Sequence, residues 1–119
     1  MAKRAIVSDD VPAPAGAYSP ALEVGDWVFV SGQGGSGETI EQQTDHAITS
    51  AESLLAAAGC SLADVVSCLV HLSDLSNFDG YNETYMRRFA EPRPVRTTVG
   101  AALLHGMLVE ITLIARRPN

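Results

Sequence analysis

Near its C-terminus the chain reads Leu108-Val109-Glu110-Ile111-Thr112-Leu113-Ile114, and the predicted fold is built outward from this segment. Its Val, Ile and Leu residues, uninterrupted by Gly or Pro, predict a β-strand. Side chains alternate between the two faces of a strand, and both faces are mostly apolar here, so the strand should be covered on both sides. Glu110 is its one charged residue, and a buried carboxylate is unfavourable unless it is paired or hydrogen-bonded.

Arg96 is a candidate partner for Glu110. It stands at the head of a strand-like run, residues 97–104, and a short turn at residues 105–106 would make the two runs antiparallel neighbours. The pair then has two interpretations, which the sequence leaves open. One is a structural ion pair. The other is a site in which the guanidinium of Arg96 binds a substrate carboxylate and Glu110 acts on water or a proton.

Length and composition indicate one globular domain spanning residues 1–119. Hydrophobic residues make up 46% of the chain and charged residues 18%, which is typical of a folded protein with one core. The net charge is −6 and no basic stripe is visible, which argues against nucleic-acid binding. No signal peptide is apparent, and no apolar run approaches the ~20 residues of a membrane span, so we expect a cytoplasmic protein without membrane contact.

The cysteine and histidine residues predict no metal centre. Cys60 and Cys68 do not form a CxxC pair and are interpreted as reduced core residues. His46, His71 and His105 are scattered, and none stands at metal-ligand spacing from another His or Cys. His71 is interpreted as an ordinary strand residue, because no carboxylate or nucleophile partner is apparent for it.

The strand pattern predicts a mixed six-stranded sheet. Two short runs flank Gly25-Asp26, which is typical of a hairpin turn with glycine first. A run that is apolar on both faces indicates an internal strand. With the two C-terminal runs, the expected strands are near residues 3–8 and at residues 21–24, 27–33 and 65–72.

Two helices are predicted between these strands, which makes the architecture α/β (α+β). The first, residues 41–58, has its small and aliphatic residues at three- and four-residue steps. The second begins after Ser76 or Asn77 and runs to about Phe89. Asn82 shares its apolar stripe and needs a hydrogen-bond partner there. The stripe itself consists of Phe78, Tyr81, Tyr85 and Phe89.

The two predicted helices are sufficient for one face of the sheet only. Yet the strands at residues 65–72 and 108–114 are apolar on both faces. A large bare apolar face is not maintained in water, so we expect sister subunits to cover it. A closed cyclic oligomer would do so, and a pocket would then fall at the subunit boundary.

Six segments of the chain stand out as short motifs. They include a glycine–tyrosine segment near the N-terminus, a strand that ends in Ser-Gly-Gln and an Asn-Glu-x-Tyr helix. The segments are Gly16–Ala21, Val28–Gln33, Ala58–Val66, Asn82–Tyr85, Pro94–Val99 and Leu108–Ile111. Each is weak evidence alone, but in this order they cover nearly the whole chain and resemble the RidA (YjgF) family of reactive-intermediate deaminases.

This resemblance implies a chorismate-mutase-like fold and a homotrimer with three sites at its subunit interfaces. It implies hydrolysis of enamine or imine acids, such as 2-aminoacrylate and 2-aminocrotonate, to 2-keto acids and ammonia, without a metal or organic cofactor. By motif, Arg96 would bind the substrate carboxylate and Glu110 would activate water. The remaining residues implied are Tyr18, Ser31, Gly32 and Asn82, which would line the pocket, and Thr98, which would make backbone contacts beside Arg96.

Several departures from the family pattern bear on substrate range. Ala17 stands where proline is usual, Pro20 where glutamine is common, and Thr98 where many members have cysteine. The loop after Gln33 is short and rich in glycine. Two alternatives therefore remain: a deaminase dedicated to a larger, aminomuconate-like substrate, and a non-catalytic trimer that binds small acids. Ribonuclease activity, also attached to this family, is disfavoured by the acidic charge and the lack of paired catalytic histidines.

Overall fold

The computed structural model describes residues 2–119, so Met1 of the predicted domain lies outside the described residues. The strands and α-helices are β1 Lys3–Ile6, β2 Ala21–Val24, β3 Trp27–Gly34, α1 Ile40–Ala57, β4 Val65–Leu72, α2 Phe78–Arg88, β5 Val95–Gly100 and β6 Val109–Arg116. The predicted fold class is confirmed, because the six strands form one mixed sheet in the order β1-β2-β3-β6-β4-β5 and are accompanied by two α-helices. Among the described residues β4 and β5 pair in parallel, and the other neighbouring strands pair antiparallel.

Local sequence signals account for the ends of several elements. The predicted hairpin joins β2 to β3, and Gly25 has the positive φ of 59° that its turn requires. Helix α1 begins with a capping box, in which Thr39 Oγ1 accepts from the Gln42 N–H and Gln42 Oε1 accepts from the Thr39 N–H. Asn77, one of the two residues predicted to precede α2, is its N-cap residue, but its side chain makes no capping bond. In the turn before the helix the Asp74 carboxylate accepts from the Ser76 N–H.

The predicted antiparallel pairing of the two C-terminal runs is wrong. The run expected over residues 97–104 ends as a strand at Gly100, and β5 pairs in parallel with β4. Strand β4 lies between β5 and β6 and hydrogen-bonds to both. Parallel neighbours need a long crossover, and α2 supplies one between β4 and β5. The linker at residues 101–108 then carries the chain past the end of β4, and His105 and Gly106 both have positive φ there.

The helices cover one face of the sheet, as predicted. The core under them contains Val28, Val30, Val70, Ile111 and Leu113, all nearly inaccessible to solvent. Their strand neighbours point to the opposite face. On that face of the single chain Trp27 is 43% exposed, Phe29 42% and Leu69 39%, although they are large apolar residues on internal strands. We call it the open face. No helix among residues 2–119 is long and apolar enough to cross a membrane.

Candidate active site

Glu110 lies on the open face, next to a bulge in β3. The β3–β6 register shifts between Val30 and Gln33, and Gly32 stands in this irregularity. A Cβ atom on Gly32 would lie 2.6 Å from Cδ of Glu110. The glycine therefore leaves the space that the carboxylate occupies. Ser31, its neighbour, donates a hydrogen bond of 2.6 Å to the carbonyl of Ser19, which ties the segment after Tyr18 to β3.

A cavity of about 630 Å³ opens beside this carboxylate. Three of the candidate site residues, Tyr18, Gly32 and Glu110, line it together. Its wall also includes the Pro/Ala segment of residues 11–15, the Gly-rich loop of residues 34–36, Ser50, Met107, His46 and His105. The described lining residues include no Lys or Arg. Glu110 has no cation within salt-bridge distance among residues 2–119.

Two residues that sequence reasoning missed fix the wall of this cavity. Gln43 is a buried amide on α1. Its Nε2 donates to the carbonyl of Gly37 at 3.0 Å, and its Oε1 accepts from the Leu108 N–H at 2.9 Å. His46, one turn later, accepts from the Ser36 N–H at Nδ1 at 2.6 Å. These bonds attach the Gly-rich loop and the start of β6 to α1. Gln43 was detectable, because an amide on the apolar face of a helix needs tertiary partners.

Arg96 lies on the other face of the sheet. Its register partner is Cys68, which faces the helices, whereas the register partner of Glu110 is His71 on the open face. Nη1 of Arg96 donates a hydrogen bond of 2.8 Å to Oδ1 of Asn82 on α2. A second cavity, of about 420 Å³, contains Arg96 and Asn82. The other residues that line it are Tyr85, Met86, Arg93 and Pro94.

The interpretation of Arg96 and Glu110 as a structural ion pair is therefore wrong within one chain. The two side chains project from opposite faces of the sheet, line different cavities and are separated by β4. Among the described residues Arg96 also has no carboxylate within salt-bridge distance. One chain thus presents an unpaired guanidinium on one side and an unpaired carboxylate on the other.

The predicted site residues fall into two groups that a single chain does not bring together. Tyr18, Gly32 and Glu110 line the larger cavity. Arg96 and Asn82 line the smaller one. The remaining two do not line either cavity: Ser31 is engaged with Ser19, and the hydroxyl of Thr98 lies 2.8 Å from that of Tyr81 in a hydrogen bond.

His71 has a carboxylate neighbour that sequence reasoning did not find. It lies opposite Glu110 in the β4–β6 register, so both side chains project from the open face. Its Nδ1 is buried and has no hydrogen-bond partner among the described residues. The Glu110 side chain, however, lies against Gly32 on the β3 side. The part of the chain that the structure describes contains no group of three or more His, Cys, Asp or Glu side chains that could hold a metal ion.

Residues 8–117 match the model of a protein family described as Endoribonuclease L-PSP. The chain is 38% identical to a RutC family protein of Saccharolobus solfataricus, over 97% of this chain and 98% of that protein. It is 34% identical to a 2-iminobutanoate/2-iminopropanoate deaminase of Capra hircus, over 97% of this chain and 90% of that protein.

Solved structures resemble the fold over almost its whole length. RidA from an Antarctic Psychrobacter bacterium has a TM-score of 0.92 and 37% sequence identity, with 95% of this chain and 98% of that one covered. The E. coli protein TdcF, crystallised with bound serine, has a TM-score of 0.90 and 26% identity, with 97% and 99% covered.

The contact between Gly32 and Glu110 generates a first prediction. Gly32→Ala places a methyl group where the carboxylate now lies, so we expect a displaced Glu110 side chain and a free energy of unfolding lowered by about 1–3 kcal/mol. Chemical denaturation and a crystal structure of the variant measure the two effects.

Gly16→Ala is the matched control in the same cavity. Its new Cβ would meet only ring carbons of Tyr18, at 3.7 Å or more, so the stability and the position of Glu110 should stay unchanged. A Gly32→Ala variant with the stability of the parent chain and an unmoved Glu110 carboxylate contradicts the prediction.

Proposed function

The chain belongs to the RidA (YjgF) family, as its family-model match and its relatives together show, and we propose that it hydrolyses reactive enamine and imine acids to 2-keto acids and ammonia. The proposed substrates are of the 2-aminoacrylate and 2-aminocrotonate type. Arg96 binds their carboxylate, and Glu110 activates the attacking water. The observation that carries this proposal is the pair of unpaired opposite charges, each of which lines its own cavity.

The residue types suit the reaction. The enamine first becomes its imine tautomer, and water then attacks C2 while Glu110 accepts a proton from that water. The imine nitrogen takes up the proton that Glu110 accepted, which gives an adduct with a hydroxyl and an amino group on C2. As the C2 carbonyl forms and the C2–N bond breaks, the hydroxyl proton passes through Glu110 to the nitrogen, so that both protons of the water leave with it as ammonia. The planar fork of Arg96 suits the substrate carboxylate. No covalent nucleophile and no redox step are required.

We propose that two copies of the chain complete each site. Arg96 and Glu110 project from opposite faces of one sheet, so a single chain does not present both to one small substrate. Strand β5, which carries Arg96, is an edge strand, so the cavity beside it can face a neighbouring copy. The apolar open face supports such an assembly. A homotrimer with three equivalent sites is the arrangement proposed.

The size of the larger cavity favours a second candidate for the substrate. At about 630 Å³ it lies well inside the range of pockets that bury drug-sized ligands, whereas a three- or four-carbon acid has only six or seven non-hydrogen atoms. A deaminase dedicated to a larger imino acid, using the same Arg96 and Glu110, is therefore the alternative. A binding trimer without turnover would require Arg96 but would show no rate that depends on Glu110.

The family description includes the word endoribonuclease, and two histidines, His46 and His105, do line the larger cavity. RNA binding nevertheless needs cations for its phosphates, and the described residues of this cavity supply none. Nδ1 of His46 is also occupied by the Ser36 N–H. We therefore place deamination ahead of RNA cleavage.

The proposed roles predict different kinetic defects. Arg96→Ala should lower kcat/KM by about 10- to 100-fold, the loss expected for a charged hydrogen-bonded contact. Glu110→Gln should lower kcat by about 10²- to 10⁴-fold, because it removes the proton acceptor. A serine/threonine dehydratase supplies fresh 2-aminoacrylate or 2-aminocrotonate, and the appearance of keto acid above the buffer rate is measured.

Arg87→Ala and Glu83→Gln are matched controls, since these residues form an exposed pair on α2, and both should retain the rate of the parent chain. Acceleration by the parent chain that survives in both Arg96→Ala and Glu110→Gln is incompatible with the proposed roles. No acceleration of small substrates, with turnover of larger imino acids, selects the alternative substrate class.

A shared site predicts complementation between two inactive chains. Arg96→Ala and Glu110→Gln, mixed in equal amounts and refolded together, should recover about a quarter of the activity, because a quarter of randomly formed interfaces combine the two intact residues. The two variants folded separately and then mixed without exchange are the control. Absence of recovery in verified mixed oligomers would place Arg96 and Glu110 in separate functions and refute the shared site.

A further inference from the structure

Arg96 is enclosed by aromatic rings of α2. Its guanidinium carbon lies 4.7 Å from the ring centre of Tyr85, 5.2 Å from that of Tyr81 and 5.8 Å from that of Phe78. All three distances are within the range of cation–π attraction. The rings follow one another at steps of three and four residues, so they form one stripe along the helix, and the Arg96 side chain lies against it.

Hydrogen bonds hold this stripe in register with β5. The Tyr81 hydroxyl and Thr98 Oγ1 are 2.8 Å apart, and Thr98 projects from the same face of β5 as Arg96. Asn82, between the two tyrosines, accepts a hydrogen bond from Arg96 Nη1. The arginine is thus fixed by the ring faces and by its hydrogen bond to the Asn82 amide, with a weaker interaction with the Tyr81 hydroxyl. Its remaining N–H groups are left for a ligand.

Both tyrosines meet the cation as neutral phenols. Burial raises the pKa of Tyr81 and, more strongly, that of Tyr85, so both phenols stay neutral in the physiological range. Among residues 2–119 the buried Tyr85 hydroxyl makes no hydrogen bond of normal geometry, and its one polar neighbour is the weakly interacting thiol of Cys68. The hydroxyl of Tyr85 can therefore be removed at little cost, whereas its ring is the closest of the three to the cation.

We propose that Phe78, Tyr81 and Tyr85 are positioning residues for carboxylate binding. Their rings, with Asn82, hold the Arg96 guanidinium in one orientation, with its free N–H groups towards the ligand. This inference rests on the proposed function, because it takes Arg96 as the carboxylate anchor. The rings also exclude water from the faces of the guanidinium, which strengthens its attraction to an anion. Without them the flexible arginine must be ordered each time the ligand binds.

Replacement of Tyr85 separates the ring from the hydroxyl. Tyr85→Leu keeps an apolar side chain but removes the ring, and we expect the Kd for pyruvate and the KM of the deaminase reaction to rise about five- to thirty-fold, equivalent to roughly 1–2 kcal/mol, with kcat within about twofold. Tyr85→Phe keeps the ring and should retain the Kd and KM of the parent chain. Isothermal titration with pyruvate and steady-state kinetics measure these effects.

Phe78→Leu provides a second, milder test. Phe78 is 36% exposed, so its loss leaves the core intact, and its ring is the farthest from the cation, so we expect a two- to threefold rise in Kd. It decides the question if Tyr85→Leu fails to fold. Folded Tyr85→Leu with the Kd of the parent chain overturns the proposal, as does a Tyr85→Phe variant that binds as weakly as Tyr85→Leu. If Tyr85→Leu does not fold, an unchanged Kd for pyruvate in Phe78→Leu overturns the proposal as well.

NMR of the Arg96 side chain distinguishes failure of this inference from failure of the proposed function. In the parent chain its Nε–H signal should be shifted by the rings and protected from exchange with water, and both properties should be lost in Tyr85→Leu and kept in Tyr85→Phe. If neither the parent chain nor Arg96→Ala binds pyruvate, the proposed function fails, and with it the ligand role of the rings. A signal that is unshifted and unprotected in the parent chain refutes the positioning itself.

Discussion

The position of β6 between β3 and β4 is the constraint on which the rest of the structure depends. Its helix-facing residues, Val109, Ile111 and Leu113, are almost completely buried under α1, so the strand must present Glu110 to the opposite face. That face supplies no cation for the carboxylate among the described residues. It provides space for the Glu110 side chain instead, because Gly32 in the β3 bulge has no side chain and a cavity opens beside the carboxylate. A central strand can therefore carry a charge because the charge reaches the cavity.

Local periodicity predicts the elements of this fold but not their neighbours. The limits of β4 are predicted to the residue, because an apolar run ending in a polar turn is a local signal. The parallel pairing of β5 with β4 is not predicted, because it depends on α2 acting as a crossover between them. Residues 101–108 contain Gly106, and the sequence of this linker is equally compatible with a hairpin turn between β5 and β6. Chain order alone does not reveal that β4 is inserted between strands that follow each other in sequence.

The same limit applies to the candidate site. Motif resemblance identifies the candidate residues and their positions in the sequence. Which of them lie on the same face of the sheet follows only from the register of β5 and β6 on β4. Arg96 aligns with Cys68 and Glu110 with His71, and this difference in register places the two charges on opposite faces. The aromatic stripe of α2 is predicted as an apolar, core-facing feature, which is correct for Tyr81, Tyr85 and Phe89 but not for the exposed Phe78. Its contact with Arg96 is invisible in the sequence, because it arises only once β5 lies beside β4.

Separation of the two charges within a chain has a chemical consequence. A guanidinium and a carboxylate in contact would neutralise each other, and a substrate carboxylate would have to compete with the internal one. Here the sheet itself keeps Glu110 away from Arg96, and neutral groups surround the cation: an amide oxygen and three rings. Such partners orient a guanidinium but do not cancel its charge. In the proposed assembly the two groups approach each other across the boundary between two copies, with the substrate between them. Arg96 therefore stays free to bind the carboxylate of the substrate.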